Sequence, residues 1–192
     1  MKLFTPLYDW TLRLAGHRRA PWYLGGLSFA ESSFFPIPPD VMLAPMALAR
    51  PDRAWFFAAL TTMTSVLGGV LGYGIGLIAF DAVEPWLHQY HLWEKYQLAR
   101  QWFAEYGIWA VLVAGFSPIP YKVFTIAAGA MGMAFLPFVI ASAIGRGGRF
   151  FLVAGLIRLG GERFAQGLRR WVDVLGWALV GLIVVAWLVL RG

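Results

Sequence analysis

The sequence predicts an all-α integral membrane protein: an inverted repeat of two re-entrant helical hairpins, with transmembrane helices and an N-terminal interfacial amphipathic helix. Three observations lead there. Apolar residues make up 59% of the chain and charged residues 14%, too few to coat a soluble globule, where about 25% are charged. The longest uncharged run, Ala54 to Phe80, has 27 residues, enough to cross roughly 30 Å of hydrocarbon. Finally, Pro36-Ile37-Pro38-Pro39-Asp40-Val41 returns 82 residues later as Pro118-Ile119-Pro120-Tyr121-Lys122-Val123. The frame P-I-P-x-charge-V is kept while the acid becomes a base. Paired interruptions of apolar sequence in two halves mark discontinuous membrane helices and the site between them.

The elements follow in order within one membrane domain, 1–192. In 1–20, Leu3, Phe4, Leu7, Tyr8, Thr11, Leu14 and Ala15 recur at helical spacing, with Lys2, Asp9 and Arg13 elsewhere on the wheel. That pattern suits a short helix in the interface, or equally a first turn packed on the rest of the protein. Asp9 and Arg13 interrupt any signal-peptide core. The first repeat, 22–80, opens with an apolar stretch that meets Pro36 after fourteen residues. At 1.5 Å per residue that is about 21 Å, too short to cross. Pro36, Pro38 and Pro39 break the hairpin because proline lacks the N–H donor and disfavours helix in the residue before it. Asp40 to Ala49 returns to the side of entry, and Ala54–Phe80 then crosses. Gly68, Gly72 and Gly76 form a small-residue stripe for close helix approach.

A polar connection, 81–106, carries net charge −2 and reads as surface amphipathic helix. His88 and His91 have metal-compatible spacing, but with no further Cys or His nearby a solvated or interfacial pair is expected, and no metal. The second repeat, 107–157, breaks at Pro118 and Pro120, returns from Lys122, and crosses from about Phe135 to Leu156. Arg146 and Arg149 lie three apart in that span and share a helix face. A basic loop and a last transmembrane helix, Val174–Leu190, occupy 158–192.

Charge sets the orientation. If both hairpins re-enter, one side collects 1–20 (net +3), 49–54 (+1) and 158–173 (+2), and the other collects 81–106 (−2) and Arg191. Basic short loops stay cytoplasmic, so the N-terminus is expected inside. The net charge of +6 is spread along the flanks of apolar segments, which argues against nucleic acid as a partner. No Cys is present, and no Ser-His-Asp set, metal cluster or phosphate loop is visible, so no enzyme activity and no cofactor are expected.

Hairpins entering from opposite faces bring Glu31 and Asp40 towards Lys122, with Arg146 and Arg149 nearby. Isolated charges in hydrocarbon are costly, so such groups pair or line a wet cavity. Acids so placed can relay protons or gate, while the bases attract an anionic head group. The plain alternative is a buried ion-pair network that pins the halves together.

At these residues the chain resembles the DedA family of membrane proteins, whose eukaryotic relatives carry the VTT domain. Glu31-Ser-Ser-Phe34-Phe-Pro36-Ile37-Pro38-Pro39-Asp40 is similar to the family's first motif, E-x-x-F-P-P-I-P-S-E, with Glu31 and Asp40 at its acidic positions. Gly115-Phe-Ser-Pro-Ile-Pro120 resembles the second motif, G-R-F-x-P-x-x-R, but Ser117 and Val123 stand at its arginine positions and the nearest base is Lys122. That departure, with the short length, looks like the YqaA-like branch. The resemblance implies a lipid transporter of flippase or scramblase type in the bacterial cytoplasmic (inner) membrane. Its implied cargo is undecaprenyl phosphate or another anionic phospholipid, with protons as coupling ion. Lys122, Arg146 and Arg149 become head-group candidates in place of the missing arginines. A homo-oligomer is compatible with this reading. A proton- or cation-coupled small-solute transporter and a non-transporting scaffold are the alternatives.

Overall fold

The computed structural model describes residue 17 and residues 19–35, 37–89, 93–117 and 120–161. Every regular element among them is helical: α1 (Ala20–Ser33), α2 (Asp40–Ala49), a 3-10 turn (Pro51–Arg53), α3 (Ala54–Gln89), α4 (Trp93–Phe116) and α5 (Tyr121–Ala130), then α6 (Phe135–Gly161). The expected interfacial helix, Pro36, Pro118 and the last span fall outside the described residues. Two stretches, Pro51–Ala82 and Phe135–Gly161, are long and apolar enough to cross a membrane.

The helices stop on either side of two short stretches, α1 ending at Ser33 before α2 begins at Asp40, and α4 ending at Phe116 before α5 begins at Tyr121. At the end of α1, the N–H groups of Phe34 and Phe35 both turn back onto Ala30 O, at 2.8 Å each. Pro39 precedes the first residue of α2, Asp40, whose charge suits the electropositive helix start. Pro120 likewise precedes α5. One boundary differs from the expectation. The polar stretch is no separate helix: α3 continues past Phe80 to Gln89, and α4 begins at Trp93 and runs on through Gly107. Glycine within a helix costs only about 1 kcal/mol, and no proline lies between 93 and 116, so nothing there stops the helix.

The halves share one order of helix, break, ten-residue helix and long helix. They also share a register. In the first half Ser28 Oγ donates to Thr61 O and Ser32 Oγ meets Ser65 Oγ, each 33 residues apart, so α1 and α3 run parallel. In the second, Gly145 lies on Leu112, and Gly148 on Phe116, so α4 and α6 run parallel with a similar offset. Gly147 approaches Thr62 while Gly155 approaches Trp55, which makes α3 and α6 antiparallel.

Close approach is bought with glycine. A Cβ on Gly68 would strike Phe29 O of α1, and one on Gly76 would strike Ile126 O of α5. The predicted stripe therefore packs α3 against both neighbours. Backbone oxygens cannot rotate aside as a side chain can. Gly76→Ala is expected to cost about 1–3 kcal/mol through overpacking. Gly74→Ala, where an added Cβ meets nothing within 4 Å, should instead gain up to about 1 kcal/mol of helix propensity. Thermal unfolding in detergent should show shifts of opposite sign; equal shifts would contradict this packing.

Two apolar cores result. One joins α1, α2, the start of α3 and the end of α6, around Leu24, Leu43, Met46, Phe57 and Phe150. The other joins the middle of α3, α4, α5 and the start of α6, around Tyr73, Val111, Tyr121 and Phe138. Between them lies a buried polar layer. Thr61 and Ser65 sit between Phe57 and Tyr73 on α3, and Ser142 and Arg146 between Phe138 and Phe150 on α6. The polar layer thus falls near the middle of both apolar stretches, Pro51–Ala82 and Phe135–Gly161.

Candidate functional site

Arg146 is the centre of this layer, with its side chain 1% exposed. The helices can close round it because Gly115 and Gly145 let α4 and α6 cross tightly: a Cβ on Gly115 would stand 3.2 Å from Arg146 N. The guanidinium is sandwiched between rings, 4.9 Å from the Tyr121 centroid and 4.6 Å from that of Phe150. One edge of the fork, Nε and Nη2, is engaged. Nε donates to Ser65 Oγ at 2.5 Å, and Nη2 donates to Glu31 Oε2 at 2.5 Å and to Ser32 Oγ at 3.3 Å. A planar fork between two faces is a task for arginine, since lysine offers only a point charge.

The hydroxyl protons can be placed by elimination. Ser32 Oγ donates to Glu31 Oε2 at 3.1 Å, which uses its single hydrogen. In the 2.7 Å Ser32–Ser65 contact Ser65 must therefore donate. The bonds run in one direction, from Arg146 through Ser65 and Ser32 to Glu31. Such a chain polarises itself along its length.

One turn along α6, Arg149 forms the second pair. Its Nη2 donates to Asp40 Oδ2 at 2.6 Å, with side chains 20% and 2% exposed respectively. Its Nη1 donates to Ser117 O at 3.1 Å, so Arg149 joins the start of α2 to the end of α4, one residue from each break. Lys122 lies elsewhere than expected. Its Nζ donates to Phe35 O at 3.2 Å, capping a carbonyl freed by the first break, and both acids are paired with arginine. The predicted residues therefore converge, with Glu31, Asp40, Arg146 and Arg149 in one layer and Lys122 tying the two breaks together. Pro38 and Pro39 lead into α2.

Ser32, Ser65 and Tyr121 were not singled out from sequence. Their signal was faint: Ser28/Ser32 and Thr61/Ser65 are hydroxyl pairs at four-residue spacing in apolar helices, which place small hydrogen-bonding groups on one face. His88 stacks on Trp93 at 4.2 Å between centroids; His91 falls outside the described residues. No group of three or more metal-ligating side chains occurs among the described residues.

Two acids and two arginines held between apolar cores, near the middle of apolar stretches long enough to span a bilayer, define a helical protein of the membrane with a charge-balanced centre. The chain belongs to the VTT-domain family, whose model matches residues 37–159, in keeping with the DedA resemblance of its motifs. An uncharacterized protein of Haemophilus influenzae is 48% identical over 191 residues, covering all of both chains. A homologue of such a protein in Histophilus somni is also 48% identical over its full length. Undecaprenyl phosphate transporter A of Staphylococcus aureus is 30% identical over 92 residues, 45% of each chain. No solved structure matches the chain.

Proposed function

We propose that this protein is a proton-coupled lipid transporter of flippase or scramblase type, with an anionic phosphate lipid such as undecaprenyl phosphate as cargo. It acts in the bacterial inner membrane, N-terminus cytoplasmic, and belongs to the YqaA-like branch. Its two hairpins are re-entrant from opposite faces. The parallel α1–α3 and α4–α6 registers support this, since each half returns to its starting level before its long helix crosses. The antiparallel α3–α6 packing fits two halves of opposite sense.

The observation that carries the function is the buried Arg146–Glu31 pair. A charged guanidinium at 1% exposure needs an anion, because losing one partner of a buried pair costs about 3–5 kcal/mol. A lipid phosphate can serve as that anion, and arginine binds phosphate with a matching fork. Glu31, displaced, is then an unpaired, partly buried carboxylate, which is relieved by taking up a proton. Asp40 and Arg149 repeat the arrangement beside it. Two acids and two arginines balance one another in charge, so charge balance ties protons to cargo. A phosphodiester carrying one charge brings about one proton; a phosphomonoester near its second ionisation, around pH 6, brings between one and two.

Proteoliposomes holding an internal pH dye test this, using fluorescent phosphatidylglycerol and a polyprenyl phosphate in turn. The expected result is lipid movement accompanied by proton movement, with more protons per monoester than per diester. Lipid movement without any proton flux, unaffected by an imposed pH gradient, would overturn the coupling. Absence of lipid movement would overturn the transporter reading.

A further inference from the structure

One end of the helix bundle is basic and aromatic, and the polar layer fixes its depth. On α6, Arg158 follows Arg146 by twelve residues, about 18 Å at 1.5 Å per residue. On α3, Trp55 precedes Ser65 by ten residues, about 15 Å. Half of a hydrocarbon core is also about 15 Å. With the layer near the middle, both residues therefore stand where hydrocarbon meets head groups. Trp22 of α1 agrees. The 33-residue offset between α1 and α3 sets it level with Trp55, it is 82% exposed, and tryptophans at one level mark a membrane interface. Among the described residues, Arg19, Arg50, Arg53 and Arg158 are exposed at this end against one acid, Asp52.

Of these arginines, Arg158 is held in a different way. Phe151, Gly155 and Arg158 follow one another at four and three residues, on one face of α6, and the Trp55 ring of α3 lies across them. It stacks on Phe151 with centroids 5.8 Å apart. It rests on Gly155, where an added Cβ would stand 3.1 Å from Trp55 Cη2. It also carries the Arg158 guanidinium 5.7 Å from its centroid. Arg146 and Arg149 are oriented by carboxylates, whereas no carboxylate pairs with Arg158 among the described residues. The ring thus positions the guanidinium through one face, and the N–H edge is left for an anion. We propose that Arg158 and Trp55 form a binding site for an anionic phospholipid resident at that interface, separate from the central Arg146 site. The guanidinium takes the lipid phosphate through charge-assisted N–H bonds, and Arg53, two residues before Trp55, adds to the local positive charge. One acyl chain follows the ring stack down to Phe151, seven residues from Arg158, about 10 Å deeper. Charge at head-group depth above an aromatic and apolar strip matches the profile of a phospholipid, while a free phosphate gains nothing from the strip. Four arginines against one acid favour an anionic over a zwitterionic head group.

The test titrates phosphatidylglycerol into the full chain in a neutral detergent and counts bound lipids by native mass spectrometry. Binding is read without flux, so the result stands apart from the transporter reading. Phosphatidylglycerol is expected to bind at least about tenfold more tightly than phosphatidylcholine. Trp55 and Arg158 are both exposed, so variants at either are expected to fold. Arg158→Gln should weaken phosphatidylglycerol binding about tenfold. Trp55→Leu keeps every charge and should weaken it about threefold through loss of the positioning ring. Arg19→Gln removes the same charge from the same end, at an arginine with no ring beneath it among the described residues. Its effect should stay below about twofold. Equal losses in Arg158→Gln and Arg19→Gln would overturn the site and leave only the diffuse attraction of a basic surface. Wild-type affinity in Trp55→Leu would overturn the role of the ring. Displacement of the bound lipid by millimolar inorganic phosphate would overturn the lipid assignment in favour of a soluble anion.

Discussion

Glu31→Gln should abolish proton-coupled lipid movement and lower stability by about 3–5 kcal/mol, the usual cost of removing one partner from a buried pair. The reason is Arg146, which stays charged at 1% exposure and keeps hydroxyls and two rings but loses its anion. Arg146→Met should destabilise less, because the Glu31 side chain is 14% exposed and water can reach a carboxylate left without its partner. The double variant Glu31→Gln/Arg146→Met should recover most of the loss, since neither charge remains. A domain holds only about 5–15 kcal/mol in total, so the single and double variants separate clearly in a denaturation experiment in detergent. Transport in proteoliposomes, measured on the same preparations, decides what the pair is for. Recovered stability without transport is the expected result. Recovered stability with normal transport would make the pair a structural pin, and a Glu31→Gln protein as stable as the wild type would contradict the burial argument.

Arg146→Lys keeps the charge and should still fail. The ammonium can reach Glu31 or Ser65 but cannot hold both at the angle of the guanidinium, and it does not stack flat between Tyr121 and Phe150. A hydrogen bond from a charged group is worth about 1.5–3 kcal/mol, and each cation–π contact about 0.5–2 kcal/mol when desolvated. A net loss of roughly 2–4 kcal/mol is expected, with lipid transport down by at least about tenfold. Stability in denaturant and lipid flux against phosphate-lipid concentration are the measurements. Transport at the wild-type level would show that charge alone suffices and that the fork geometry carries nothing.

Glu31 and Asp40 could be read from sequence because each acid stands beside a proline break in apolar surroundings, where a charge needs a reason. Arg146 and Arg149 were legible as charges near the middle of a span. Their partners were not. The repeat set Asp40 against Lys122, which suggests that these two meet; in the folded chain Lys122 Nζ reaches Phe35 O while Arg149 holds Asp40. A repeat aligns positions in two halves but says nothing of which side chain points inward after the halves cross. The serines were quieter still, since a lone hydroxyl in an apolar helix most often satisfies its own backbone, as Thr61 Oγ1 does with Phe57 O at 2.7 Å.

Helical class, the two breaks and the long apolar spans were determined by the sequence alone. Each depends on local chemistry: apolar run length, the missing N–H of proline, and the spacing of charges. Tertiary structure decided which arginine meets which acid, the direction of the Ser65–Ser32–Glu31 chain, and the closeness of α3 to α1 and α5. Those depend on helix rotation and register across contacts 33 to 115 residues apart. Side-chain volume and glycine placement settle them only once the helices are packed together.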